Sequence, residues 1–282
     1  MILECGDLSP LFKNANQSAD RSAHSKELSY WDNKVVLITG ASSGIGRGIA
    51  VHLARRGARL GLVARRASVL DEVINEIKGA GGSAEAIIAD VQDADALKRG
   101  ARRLAEVFGP IDVLIANAGV GTTTHASKLE PSEVEKVLQI NVVGAANSVA
   151  AVLPAMLARA DGQLVAISSL AAYRGVAKSG AYCASKAALS ALFESLRIDL
   201  RDTGIAVTTI HPGFIKTPLT EGRARMPYLM ELDYAVEKII SAIERRKKIY
   251  SFPWQLATIV RAGLIMPPAM YDWIAARSSF RE

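Results

Sequence analysis

The chain has 282 residues, half of them hydrophobic and 22% charged, with a formal net charge of +6. That length fits one large α/β domain or at most two small ones. The composition excludes disordered and collagen-like chains, and so mild a basic excess gives some attraction to anions without making nucleic acid the expected partner.

Residues 1–33 read as a poorly ordered extension, polar and without apolar periodicity. From Lys34 the pattern changes. Val35–Thr39 is a short β-branched run ending at Gly40, followed by a helix over Ile45–Arg56 closed by Gly57. Arg59–Ala64 reads as a second buried strand, Ala67–Lys78 as a helix, Ala84–Ala89 as a third strand and Ala94–Phe108 as a helix closed by Gly109. Ile111–Ala116 is a fourth strand, and Pro131 opens a long helical region reaching Ala160. Gln163–Ser168, a helix over Gly180–Asp202 and a strand over Ala206–Ile210 complete the readable alternation. Short apolar strands alternating with longer amphipathic helices predict an α/β fold, a doubly wound parallel sheet with helices on both faces. The catalytic domain is expected over 34–251, with 252–282 as an apolar helical tail.

Two cysteines, Cys5 and Cys183, show neither metal-ligand spacing nor a disulfide framework, so a reducing, cytoplasmic setting is expected. The histidines His24, His52, His125 and His211 are scattered, and no metal site is expected. No stretch resembles a signal peptide. No segment reads as the roughly 18 uncharged apolar residues of a membrane span.

In such a sheet ligands bind beyond the carboxyl ends of the strands. After the first strand stands Thr39-Gly40-Ala41-Ser42-Ser43-Gly44-Ile45-Gly46. A helix start exposes unpaired N–H groups and the positive end of its dipole, and glycines let a pyrophosphate come close. No Gly-Lys-Ser/Thr follows, so this is not a Walker A loop. The second strand ends in Ala64-Arg65-Arg66, without the acidic residue that accepts from the ribose 2′-hydroxyl of NAD. An arginine fork suits a 2′-phosphate instead, with Ser42 and Ser43 as added donors. NADP(H) is therefore the expected cofactor, with NAD(H) as the alternative.

Tyr182 and Lys186 are four residues apart near the start of a helix and so share one face. Ser169 follows the fifth strand, Asn117-Ala118-Gly119 the fourth, and Asn141 lies midway along the long helical region. Together with the glycine turn, Asp90 and Pro212-Gly213, these residues resemble the short-chain dehydrogenase/reductase family over about residues 34–250. The resemblance implies a Rossmann-like sheet of about seven strands. It implies Tyr182 as acid/base, Ser169 holding the substrate oxygen, Lys186 on the nicotinamide ribose and Asn141 supporting a water-linked proton relay. It also implies cofactor contacts at Gly40, Ser42, Ser43, Gly44, Ile45, Gly46, Asp90, Val91, Asn117, Ala118, Gly119, Pro212, Gly213, Ile215 and Thr217, beside Arg65 and Arg66. Free tyrosine has a pKa of about 10, and a nearby ammonium favours its phenolate.

Substrate choice is expected to reside in Phe214–Leu232 and in the tail. Met226, Tyr228, Leu229 and Met230 suggest a lid over a hydrophobic substrate. Pro267-Pro268 should break the tail into two short helices, with Leu256, Ile259, Val260, Leu264 and Ile265 buried against protein. Packing on its own core or on another subunit of a homodimer or homotetramer is the expected use of this tail, with peripheral membrane contact as the other. The function expected is a carbonyl reductase or alcohol dehydrogenase acting on a small molecule. A 3-ketoacyl reductase and a catalytically silent NADP(H)-binding regulator are the alternatives. His211 and Cys183 are expected to be structural.

Overall fold

In the computed structural model residues 29–222 and 226–277 are described. The expectation of a loose N-terminal extension falls mostly on residues 1–28, outside them. Residues 29–33 do not fit it: Trp31 is fully buried and its indole N–H donates to Glu244 Oε1 at 2.6 Å. The packed domain therefore begins before Lys34, on a tryptophan whose apolar body and polar handle are both satisfied.

Seven strands form one sheet: β1 (Val35–Thr39), β2 (Arg59–Ala64), β3 (Ser83–Ile88), β4 (Val113–Ala116), β5 (Gly162–Ile167), β6 (Ile205–Pro212) and β7 (Ile249–Phe252). Their spatial order is β3-β2-β1-β4-β5-β6-β7, and every pairing is parallel. β7 is short and was not visible as a strand in the sequence. β1 shows why the sheet is doubly covered: all five residues are buried, with alternate side chains entering different layers. Val36 and Ile38 join the layer of α1 (Gly44–Ala54), α2 (Ala67–Gly79) and α7 (Leu232–Glu244). Val35 and Leu37 join that of α3 (Ala94–Phe108), α5 (Gly144–Arg159) and α6 (Gly180–Asp199). In α7 the inward stripe is Val236, Ile239, Ile240 and Ile243, at helical spacing.

The long helical region after Pro131 is not uniform. It runs as α4 (Pro131–Leu138), a π-turn over Gln139–Val143 and then α5. The span 131–159 is long and apolar enough to cross a membrane by length and composition, contrary to the reading of the sequence. Here Val149, Val152 and Met156 are buried against the sheet, the role of a core helix. The π-turn carries Asn141, and π-turns inside α-helices often mark functional positions.

The tail forms two helices, α8 (Trp254–Leu264) and α9 (Pro268–Arg277), broken at Pro267-Pro268. The expected burial of its apolar residues holds only in part. Leu256 and Ala257 are buried against Leu170, with Tyr173, Phe214 and Val260 packed around them. Ile259, Leu264 and Ile265 are exposed, Ile265 to 89%. The stripe Leu256, Ala257, Val260 and Gly263 of α8 turns toward the domain. The expected lid needs correction too, because Met230 is buried in the core beside Ile215, its N–H donating to Phe214 O at 3.0 Å. That end of the segment is anchored, not poised over a substrate.

Candidate active site

The strand order reverses at β1, between β2 on one side and β4 on the other, and there a cleft of about 300 Å³ opens beyond the strand ends. Its floor is the turn from β1 to α1. Gly40 has φ +66°, in the left-handed region where a side chain is costly, and a Cβ there would lie 2.8 Å from Ala118 Cα. A methyl at Gly46 would overlap the Gly40 carbonyl oxygen. The two glycines thus let α1 start directly on the turn, its first N–H groups open to the cleft. Thr39 and Asn117 hold this geometry. The Thr39 hydroxyl accepts from the N–H groups of Asn117 and Ala118, each at 3.1 Å, and Asn117 Nδ2 donates to the carbonyls of Thr39 and Gly40.

Gly40, Ser42, Ser43, Gly44 and Ile45 line the cleft, as do Arg65, Arg66, Asp90, Val91, Asn117, Ala118, Gly119, Tyr182, Lys186 and Thr217. Val120, Ser168, Pro218 and Leu219 line it as well, residues that no motif had marked. Gly46, Asn141, Ser169, Pro212, Gly213 and Ile215 do not reach the lining. Gly46 supports the turn from beneath, and Gly213 packs under the tail, where a Cβ would stand 3.0 Å from Pro253 Cδ. Ile215 is buried in the core. Ser169 caps a single 3-10 turn (Leu170–Ala172), its hydroxyl accepting from Ala171 N at 3.1 Å.

Arg65 reaches Asp90, Nη1 to Oδ2 at 3.5 Å, across the mouth. Burial raises the Asp90 pKa, but donors from Gln92 and the charge of Arg65 outweigh it, leaving the carboxyl below its ordinary value. Asn141 is buried, and both of its amide hydrogens are used. Its Nδ2 donates to Val120 O and to Ser185 Oγ, both at 2.9 Å, and its Oδ1 accepts from Val120 N at 2.8 Å. Ser185 in turn donates to Tyr182 O, so the π-turn and the first turn of α6 are tied together. The Lys186 ammonium donates to Ile167 O at 2.8 Å and lies 5.8 Å from the Tyr182 ring centroid. Burial pushes its pKa down to about 8, which still leaves it mostly protonated at neutral pH. A methyl at Gly119 would fall 3.3 Å from Asn141 Oδ1 and 3.4 Å from Lys186 Nζ, so all three groups converge. The site can hold an elongated anionic ligand at the glycine turn and move a proton at Tyr182. Among the described residues no cluster of three or more potential metal-ligating side chains occurs.

The short chain dehydrogenase family matches residues 34–227. The chain belongs to this family and is an NAD(P)-dependent oxidoreductase of the Rossmann-like type. It is similar to an uncharacterized oxidoreductase of Myxococcus xanthus, 46% identical over 252 residues that span 89% of this chain and 98% of the relative. Among solved structures, an alcohol dehydrogenase from the archaeon Thermococcus sibiricus, complexed with 5-hydroxy-NADP, superposes with a TM-score of 0.70 at 26% identity. The match covers 78% of this chain and 94% of that one. A metagenomic short-chain oxidoreductase in complex with NADP superposes with a TM-score of 0.68 at 32% identity, over 79% and 97% of the two chains.

Proposed function

We propose that this protein is an NADP(H)-preferring carbonyl reductase or alcohol dehydrogenase acting on a lipophilic small molecule. The observation that carries this reading is one cleft lined by the β1–α1 glycine turn, Arg65 and Arg66 at one end, and by Tyr182 and Lys186 further along. The turn and the N-terminus of α1 suit a pyrophosphate, and Arg65 and Arg66 suit a 2′-phosphate. When bound, NADP(H) supplies or takes up the hydride. In the reductive direction Tyr182 gives its hydroxyl proton to the substrate oxygen while Ser169 holds that oxygen. Lys186 keeps a positive charge beside Tyr182, which favours loss of its proton. Asn141, held by Val120 and Ser185, fixes the first turn of α6 beneath the tyrosine.

The outer side of the tail supports the lipophilic assignment. Trp254, Ile259, Leu264, Ile265, Met270 and Trp273 are exposed, and the sequence over 244–282 sets seven basic against three acidic residues. We read this face as a peripheral contact for an anionic membrane, rather than as the face of a homodimer or homotetramer.

The test is oxidation of NADPH and of NADH with a panel of short and long-chain ketones, for the wild type and for Tyr182→Phe. Turnover is expected with NADPH and long ketones, with a fall of at least about a thousandfold in the variant and little change in NADPH affinity. Equal affinity for the two cofactors would refute the arginine assignment, and a variant keeping a tenth of the activity would refute the acid/base assignment.

A further inference from the structure

The segment after Ser169 is held from outside the domain's shared core. Arg174 donates from Nη1 to Gly263 O, at the end of α8, at 2.9 Å. Its guanidinium lies 3.9 Å from the ring centroid of Tyr271 in α9. The Tyr271 hydroxyl donates to Gly175 O at 2.6 Å. Burial raises the Tyr271 pKa above its ordinary value, so the phenol keeps the proton that this bond uses. Gly263 lies directly against this pair, for a Cβ there would stand in ordinary contact 3.7 Å from the Tyr271 ring and 3.9 Å from Arg174 Cγ.

A second limb joins the same segment to the catalytic helix. Arg261 donates to Tyr173 OH at 3.3 Å and to Ser251 Oγ at 3.0 Å. The Tyr173 ring lies against buried His211, with centroids 5.0 Å apart. His211 Nε2 meets Ser190 Oγ at 3.1 Å, and both Ser190 and Ser168 donate to the backbone carbonyl of Lys186. The tail thus grips the 169–175 segment at Tyr173, Arg174 and Gly175, and through Tyr173 it leans on the backbone of the catalytic lysine.

We propose that Arg174 and Tyr271 are positioning residues, a strap by which α8 and α9 hold the Ser169–Gly175 segment so that Ser169 meets the substrate oxygen. This rests on the role given to Ser169 above. A planar guanidinium stacked on a ring while bonding a carbonyl fixes both direction and distance, which a flexible lysine does not. The strap lies away from the cleft lining, so its loss should misplace Ser169 without touching the cofactor's seat.

The test compares Arg174→Ala, Arg174→Lys, Tyr271→Ala and Tyr271→Phe in the full chain. Losing the stack and the hydroxyl together in Tyr271→Ala should lower kcat about tenfold, as should Arg174→Ala. NADPH affinity should stay within about twofold, and the melting temperature within about 2 °C. Tyr271→Phe, which keeps the ring on Arg174, should recover most of the loss, and Arg174→Lys little of it. Hydrogen exchange gives a readout that does not need turnover: residues 170–176 should exchange faster in Tyr271→Ala, with the β1–α1 turn unchanged. Unaltered kcat together with unaltered exchange would overturn the proposal. So would a loss of kcat accompanied by an equal loss of NADPH affinity. If the wild type reduces no ketone while exchange responds as expected, the proposed function fails and with it the positioning of Ser169, and only the hold of α8 and α9 on residues 170–176 stands.

Discussion

The two halves of the cleft are built from different materials. The cofactor half is largely main chain at its glycine end: a glycine turn, the open start of α1, carbonyls that accept from Asn117 Nδ2 and N–H groups that donate to the Thr39 hydroxyl. The proposed substrate half leans on a segment outside the lining, Ser169–Gly175, held by side chains brought from far away, with Arg174 meeting Gly263 and Tyr271 meeting Gly175 across nearly a hundred residues. A site made of backbone tolerates almost no added volume, because nothing near it can rotate aside. A site made of side chains can lose a contact and still fold, and its cost appears in alignment. On the proposed function, the first arrangement would serve a ligand of constant shape and the second a substrate that varies.

The sharpest break in this comparison is Gly46→Ala. Its methyl would overlap a backbone oxygen, that of Gly40, so either α1 or the turn must move. NADPH affinity should fall at least a hundredfold, and stability by about 1–3 kcal/mol, read by fluorescence titration and chemical unfolding. A variant that binds NADPH normally would show that the turn is not the rigid element described here.

Between the halves stands His211, and its effect should be intermediate. Burial, helped by the charges of Arg261 and Lys186, pushes its pKa down to about 4 from 6.5. Above pH 6.5 the ring is neutral in both folded and unfolded chains. As pH falls from 6.5 toward 4, the unfolded chain takes up a proton that the folded chain refuses, so stability is lost with acid. The loss amounts to about 3 kcal/mol at most. His211→Phe should be less stable at neutral pH, lacking the bond to Ser190, yet its stability should fall less steeply between pH 6.5 and 4. Urea unfolding across that range checks this, and parallel curves for the two proteins would count against a neutral His211.

The same division explains what the sequence disclosed. The glycine turn and the Tyr182–Lys186 pair are local, so their spacing alone reports geometry, and the alternation of β1 to β6 with helices fixed the sheet. Trp31 gave no signal because two adjacent aromatics, Tyr30 and Trp31, in a polar stretch have no period. β7 is only four residues, Ile249–Phe252, beside the charged run that ends α7. The π-turn around Asn141 is made of residues equally suited to an α-helix. Arg174 and Tyr271 belong to no motif, and only the packing of α8 and α9 brings them together. Apolar periodicity in the tail predicted helices correctly, but it does not say what covers their faces, and Ile259, Leu264 and Ile265 remain outside.

That uncovered face gives the smallest expected effect on chemistry and a sharp separation of the halves. Ile265 is exposed to 89% and Trp254 to 72%, so neither contributes its full burial energy within this chain. Replacing Ile265 and Trp273 together by serine should leave ketone turnover in solution within about twofold and the melting temperature nearly unchanged, as usual for exposed positions. What should change is partition onto vesicles. The wild type should sediment with vesicles of phosphatidylglycerol and phosphatidylcholine more than with phosphatidylcholine alone, and less as salt rises, because basic residues and apolar side chains would act together. The double variant should lose most of that binding while the strap, on the opposite side of the same helices, keeps kcat intact. If the wild type ignores vesicles but runs as a dimer or tetramer that the double variant breaks, the face belongs to a second copy of the chain and the membrane reading fails.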